Sequence, residues 1–348
     1  MSYFEKEVIK LKKEINKELK TLINKKLDNT SFEKIIKQFV LSGGKRLRPI
    51  ILLQAYKGVD GKKNIISEAL SVELFHNSTL IHDDLMDEDE QRRGMPTVQK
   101  ELKDYFLKKH CEKEYAGVLF NKKSSKNAVA NTIIAGNILL IIGSECLTES
   151  KIEPKKITEA INVYNKAYYL VNKGQVMDVA FENKKKVSEK EYLDMATKKT
   201  AELIKASIEI GAILGGANKR QIKKLKDYAE NIAIAFQIHD DLMDVDLEMN
   251  KGRAVGSDII QGKKTLPIIK ALKKDKKIIQ ILNKSVKTKK DLSQAITILN
   301  KTGAIDYCKK LCKKKTMAGV KSLLEAKLEK SSEEFFLKLA ENLLTRKN

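Results

Sequence analysis

Tryptophan is absent from this sequence, and its 348 residues include only four prolines, four cysteines and 6% aromatic residues. So little proline and aromatic content, beside abundant Lys, Glu, Leu, Ile and Ala, favours an all-α protein. No stretch alternates like a half-buried sheet over several strands. Cys111, Cys146, Cys308 and Cys312 form no zinc pattern, since Cys308 and Cys312 stand one helical turn apart without a second ligand pair. Free thiols in a reducing cytoplasm are expected. Residues 1–20 read as a charged amphipathic helix rather than a targeting segment. No Ser/His/Asp or Cys/His set suggests a protein nucleophile.

Arginine is also scarce: seven residues, against 61 lysines. The net charge of +22 invites a nucleic-acid reading. That reading is disfavoured because the lysines are spread along every segment and aromatics for base stacking are few. A lysine-rich coat with at most weak attraction to a membrane surface is expected instead. The arginines are grouped: Arg46 and Arg48, Arg92 and Arg93, then Arg253. In a chain that otherwise uses lysine, such placement suggests planar, bidentate phosphate clamps.

One sequence of seven residues occurs twice: Ile81-His82-Asp83-Asp84-Leu85-Met86-Asp87 returns unchanged at Ile238-His239-Asp240-Asp241-Leu242-Met243-Asp244. Each copy follows an apolar stretch that reads as helical. Residues four apart share a helix face, so Asp83 projects with Asp87, and Asp240 with Asp244. Converging carboxylates repel unless a cation lies between them. Oxygen ligands suit Mg²⁺, which keeps some water and takes further ligands from substrate phosphates.

Other segments point to the same chemistry. Ser42-Gly43-Gly44-Lys45-Arg46-Leu47-Arg48-Pro49 reads as a basic turn before a helix N-terminus, which favours an anion. Arg92-Arg93-Gly94 follows the first acidic cluster, where the arginines could reach the same phosphate or balance Glu88 to Glu90. Gln175 and Asp178 share a helix face, and Lys198-Lys199-Thr200 lies further on. Glycine-punctuated basic segments follow the second heptad, from Lys251 to Asp258 and from Gly262 to Pro267. His76, two turns before Asp83, is by itself more often a core residue than a ligand. The apolar run 128–143, broken by Asn131 and Asn137, reads as a buried helix too short to span a bilayer. Residues 108–126 read as a lysine-rich inserted loop. No linker-like stretch divides the chain, so one domain over 1–348 is expected.

Two DDxxD motifs, the GGKxxRP turn, the RRG triplet, the FQ-x-x-DD-x-x-D arrangement at Phe236 to Asp244 and the GKKTLP run resemble the trans-prenyltransferases. That is the polyprenyl diphosphate synthase family, here of the geranylgeranyl diphosphate synthase kind. The resemblance covers residues 38–275. It implies an all-α bundle of the isoprenoid synthase type around a deep central cavity, working as a homodimer. It implies condensation of isopentenyl diphosphate with a dimethylallyl, geranyl or farnesyl diphosphate. It also implies about three Mg²⁺ per active site, with Mn²⁺ as a substitute.

By the same resemblance, Asp83, Asp84, Asp87, Asp240 and Asp244 are the metal ligands, with Asp84, Asp241 and Asp244 in supporting or water-bridged positions. Lys45, Arg48, His76 and Arg93 match the isopentenyl site. Arg92, Lys199, Thr200, Gln237 and Lys263 match the allylic site. Arg253 stands where the family has lysine, and Gly136-Asn137 where it often has Gly-Asp. The fifth residue before the first motif, which helps set product length, is Ser78, with Thr79 beside it. Phe75 lies three positions earlier, ~4.5 Å deeper, and as a floor would stop growth at geranylgeranyl diphosphate or one unit beyond. A C25 or longer product and a non-catalytic subunit of a heteromeric synthase are the alternatives. The second DDxxD disfavours a terpene cyclase, and both intact motifs disfavour a regulatory subunit.

Overall fold

The structure, a computed structural model, describes residues 3–245, 256–284 and 286–345, without the side chains of 182–183 and 343–345. Among the described residues the chain is all-α apart from one pair of two-residue strands and an isolated bridge. It falls into two compact units, one of residues up to Leu53 with 62–164, the other of 54–61 with 165–348.

In the first unit, α1 (Tyr3–Lys26) buries Leu11, Ile15, Leu19 and Ile23, a four-residue repeat that makes one apolar stripe. Thr30 starts α2 (Ser31–Leu41) by accepting a hydrogen bond from the Glu33 amide at 3.3 Å. Such a cap is worth about 1 kcal/mol. Helix α3 (Leu47–Gly58) begins in this unit. Helix α4 (Ile66–Met86) is buried on every side from Ala69 to Phe75. It packs along α6 (Lys123–Thr148), as does α5 (Val98–Lys109). Gly143 permits the approach of α4, since a Cβ there would lie 3.0 Å from the Ser71 carbonyl oxygen.

Two expectations change in this unit. Helix α6 runs 26 residues, longer than the apolar run 128–143, because its polar ends continue the helix. Among the described residues it is the one helix long and apolar enough to cross a membrane by length and composition. It is not buried all round: Ile133, Ile134 and Ile141 are exposed on the face away from α4. The segment expected as a loop over 108–126 shortens to 110–122, because lysines at both ends extend α5 and α6.

In the second unit, α10 (Lys219–Val245) packs along α15 (Ala304–Ala326) and α9 (Glu202–Gly215). Gly319 of α15 allows this, as a Cβ there would lie 2.9 Å from Ile232 Cδ1. Tyr228 donates to the Phe336 carbonyl at 2.7 Å and meets its ring edge-on, which fixes α16 (Lys330–Thr345). Helix α7 (Pro154–Asn183) ends in this unit, and Ser188 with Glu191 forms a capping box at α8 (Glu189–Ala196). Short helices α11 (Ser257–Gln261), α12 (Leu266–Leu272), α13 (Lys277–Leu282) and α14 (Lys289–Lys301) complete the unit.

Candidate active site

Both acidic motifs lie on a long helix, the first at its C-terminal end. Asp83 and Asp87 lie at the end of α4, where the Asp87 amide donates to the Asp83 carbonyl as the cap. Asp240 and Asp244 lie on α10. A helix C-terminus carries partial negative charge and normally attracts lysine or arginine. Acids there add repulsion to repulsion, which a divalent cation would relieve. No three acidic, His or Cys side chains among the described residues converge as a complete ion cage. An oxygen-only, incomplete set suits Mg²⁺, which retains waters and completes its shell with phosphate oxygens.

Around the first motif the structure separates residues that are close in sequence. Gly43 and Gly44 have φ of 107° and 134°, and Arg46 follows at φ 50°. That reversal turns Arg46 inward, correcting the expectation that it clamps phosphate. It is buried, paired with Glu73 at 2.6 Å, and donates to Asn16 Oδ1 and the Val40 carbonyl, both at 2.9 Å. Lys45 stays exposed. Arg48 is half-buried, and its Nε has no hydrogen-bond partner among the described residues. Burial, opposed by Glu73 and reinforced by Arg93, pulls its guanidinium down to about 10. It therefore remains a cation at neutral pH.

The RRG triplet forms a two-residue hairpin between β1 (Gln91–Arg92) and β2 (Met95–Pro96), with Arg93 and Gly94 both at positive φ. The turn sends its two arginines to different places. Arg92 donates from Nε to Asp84 Oδ1 at 2.5 Å. Arg93 donates to the Gly43 carbonyl at 2.6 Å and lies against Gly44, where a Cβ would come within 3.0 Å of Nη1. Burial and the charges of Arg48, Arg93, Arg92 and Arg46 hold His76 well below the usual imidazole range, so it is neutral.

Asp84 differs from Asp83 and Asp87. It is fully buried, its charge is paired with Arg92, and burial still raises its carboxyl above the usual range. Asp84, expected as a metal ligand, is held by Arg92 in this structure.

The second motif lies in another network. Asp241 is buried and accepts hydrogen bonds from Tyr192, from Gln237 Nε2 at 3.0 Å and from the Leu266 amide at 3.2 Å. Burial, opposed by those bonds, pushes its carboxyl up to about 7. Thr200 donates to Gln237 Oε1 at 2.9 Å, so Thr200, Gln237 and Asp241 form one chain. Lys199 pairs with Asp178 at 2.6 Å. Lys199 and Thr200 lie in a π-helical turn, Thr197–Ala201, a rare form that is frequent at functional sites. Gly174 of α7 makes room for it, since a Cβ there would lie 2.3 Å from the Lys199 amide nitrogen.

Asp244, expected among the ligands, accepts from the Ser257 amide and hydroxyl at 2.9 and 2.7 Å and from the Asp258 amide at 3.0 Å. It bonds the first turn of α11. Asp258, absent from the sequence-derived set, is thereby drawn in. Burial and the charge of Asp244, opposed by Lys263, push its carboxyl up to about 6, and Asp178 and Asp240 add to the rise. The Lys263 amide donates to the Asp258 carbonyl at 2.8 Å. No spacing rule could have singled out Asp258, because its nearness depends on the bonds to Asp244. Arg253 lies outside the described residues.

Phe75, expected as a floor, is fully buried and meets Tyr164 edge-on at 5.1 Å between ring centroids. Tyr164 donates to the Leu140 carbonyl at 2.8 Å. Ser78 is buried with its hydroxyl unpartnered, and Thr79 donates back to the His76 carbonyl at 2.8 Å.

The sequence matches the family described as Polyprenyl synthetase over residues 29–299. It is 38% identical over 316 residues to the short chain isoprenyl diphosphate synthase of Methanocaldococcus jannaschii, covering 88% of this chain and 85% of that protein. It is 36% identical to the geranylgeranyl diphosphate synthase of Methanosarcina mazei, over 80% of this chain and 78% of that one. The fold superposes on the crystal structure of geranylgeranyl pyrophosphate synthetase from Pyrococcus horikoshii with a TM-score of 0.84, at 31% identity, over 99% of this chain and 100% of that one. Other relatives carry the name geranylfarnesyl diphosphate synthase.

Proposed function

The chain belongs to the polyprenyl synthetase family and is a trans-prenyltransferase, and on that premise we propose that it builds geranylgeranyl diphosphate from isopentenyl diphosphate and an allylic diphosphate. The observation that carries the reading is that each DDxxD motif lies on a long helix with basic side chains in its own surroundings, Arg92 on Asp84 of the first and Lys199 with Thr200 and Gln237 near the second.

Asp83, Asp87 and Asp240 would hold Mg²⁺, about three ions per site, with Asp258 a further carboxylate toward them. Mg²⁺ bound there supplies Lewis acidity to the departing diphosphate. Lys199, Thr200, Gln237 and Lys263 orient the allylic diphosphate, while Arg92 keeps Asp84 in position and adds positive charge. Lys45, Arg48, Arg93 and neutral His76 hold isopentenyl diphosphate. The allylic C–O bond breaks and its electron pair leaves with diphosphate, whose growing charge these cations stabilise. The isopentenyl double bond then forms the new C–C bond, and a proton passes to the released diphosphate.

Product length follows from Phe75 braced by Tyr164, a rigid aromatic pair three residues below Ser78. The names of several relatives support C20, and those of others favour C25 as a second reading. The exposed Ile133, Ile134 and Ile141 face of α6 supports a homodimer. Elongation with labelled isopentenyl diphosphate and each allylic starter, with and without Mg²⁺, tests the reading. Mg²⁺-dependent C20 product is expected, and no elongation under any condition would refute it.

A further inference from the structure

The segment between α5 and α6 takes no part in the chemistry above, yet it is ordered. Residues 110–122 form a short antiparallel hairpin in which Glu114 bridges Lys122. The Tyr115 amide donates to the Asn121 carbonyl at 2.8 Å, and the Lys123 amide to the Lys113 carbonyl at 3.0 Å. Its base is fixed to α6, because Ser124 donates to Glu112 from both its amide and its hydroxyl. Lys126 lies 4.3 Å from the Tyr115 ring centre and covers that ring. These bonds hold the tip outward, with Val118 at 102% and Leu119 at 84% exposure. No other large apolar side chain among the described residues is as exposed.

A single exposed leucine is ordinary. Two adjacent apolar residues on a hydrogen-bonded hairpin are different when positive charge predominates around them. Lys108, Lys109, Lys113, Lys122, Lys123 and Lys126 lie in or beside the hairpin. Its two acids leave an excess of lysine, since Glu114 pairs with Lys122 and only Glu112, bound by Ser124, stands against the other five. An apolar tip within a lysine collar combines hydrocarbon insertion with attraction to anionic headgroups, the two terms that hold a protein on a bilayer surface.

We propose that the 110–122 hairpin is a membrane-surface anchor, with Val118 and Leu119 entering the acyl boundary and the lysines contacting anionic lipid phosphates. It is independent of the proposed reaction, although a long-chain prenyl diphosphate, an amphiphile, would be released at a surface that can accept it.

Vesicle sedimentation without substrates tests the anchor. The full chain should sediment with phosphatidylglycerol vesicles, not with pure phosphatidylcholine, and the binding should weaken in about 0.5 M salt, where the Debye length is a few ångströms. The V118S/L119S double variant should partition at least about tenfold more weakly while its elongation of soluble substrates stays unchanged. Because the chain has no tryptophan, L119W supplies a single reporter whose emission should shift to the blue with anionic vesicles alone. Unchanged sedimentation of V118S/L119S, or L119W emission that ignores vesicles, would overturn the proposal. So would a change of oligomeric state in V118S/L119S without lipid, which would make the tip a contact between copies of the chain.

Discussion

Arg92 donates to Asp84 at 2.5 Å, from the strand that follows the first acidic motif to the one acid of that motif that is fully buried. The three aspartates of the motif are therefore not equivalent. Asp83→Asn should lower kcat/KM about 10³-fold, the scale of losing a directly charge-stabilising group. Asp84→Asn should lower it about 10- to 100-fold, as for partners that orient a ligand. Titrating Mg²⁺ separates them: D83N should need far more metal for half-maximal rate, D84N only slightly more. Equal losses and equal metal requirements would contradict the division.

Arg46 and Arg48 stand two residues apart and should fail in different ways. Arg46 is paired with buried Glu73 and bonded to two further acceptors, so Arg46→Ala leaves a buried carboxylate alone and should cost about 3–5 kcal/mol. Arg48, with an unpartnered Nε, should cost little stability when replaced by alanine. Its loss should appear as a raised KM for isopentenyl diphosphate, with KM for the allylic substrate nearly unchanged. Denaturant unfolding and initial-rate kinetics on both variants decide this.

The product-length reading makes Phe75 and Tyr164 a pair. Phe75→Ala should shift product beyond C20 at a cost of about 3–5 kcal/mol in stability. Tyr164→Phe keeps the edge-on ring and loses only the bond to the Leu140 carbonyl, so it should leave product length unchanged. Tyr164→Ala should lengthen product, because Phe75 loses its support. Chromatography of dephosphorylated products reads out chain length, and a C20 product from all three variants would remove the floor from Phe75.

Thiol chemistry gives an independent check of the packing. Cys111 is exposed, whereas Cys146, Cys308 and Cys312 are buried. Burial pushes the Cys146 and Cys312 thiols up to about 12 and 11, and Cys308 higher still. At pH 8 the native protein should label rapidly at one cysteine and the denatured protein at four. Mass spectrometry counts them, and two or more fast thiols in the native protein would contradict this packing.

What could be read in advance follows from how local each signal is. The repeat at Asp83 and Asp240, the stripe from Leu11 to Ile23 and the Thr30 cap depend on residues within a turn or two, so spacing reveals them. Arg46 was misread because a positive φ reverses its direction between two neighbours that keep theirs. The length of α6 was underestimated because its polar ends are as helical as its apolar middle. The nearness of Asp258 and the partners of Asp84 and Asp244 depend on hydrogen bonds across loops, which no periodicity encodes. The π-helical turn at Thr197 to Ala201 is a shift of hydrogen-bond register, and composition carries no trace of it.

That turn gives the sharpest separation of fold from activity. Gly174→Ala would place a Cβ 2.3 Å from the Lys199 amide nitrogen and 2.7 Å from its Cα, inside any permitted contact. One helix must move, and a shift of the π-helical turn would carry Lys199 and Thr200 with it. Alanine gains up to about 1 kcal/mol in helix propensity at this position, while overpacking costs about 1–3 kcal/mol. Net stability should therefore fall by no more than about 3 kcal/mol. Activity should suffer more, because Lys199 and Thr200 would leave Asp178 and Gln237. An error of about 1 Å in a positioning group can cost about 100-fold in rate. Gly174→Ala should thus lower kcat and raise KM for the allylic diphosphate, while KM for isopentenyl diphosphate stays near that of the wild type. Near-normal melting with that kinetic split supports the role of the close contact, and wild-type turnover would show that the π-helical turn does not position Lys199.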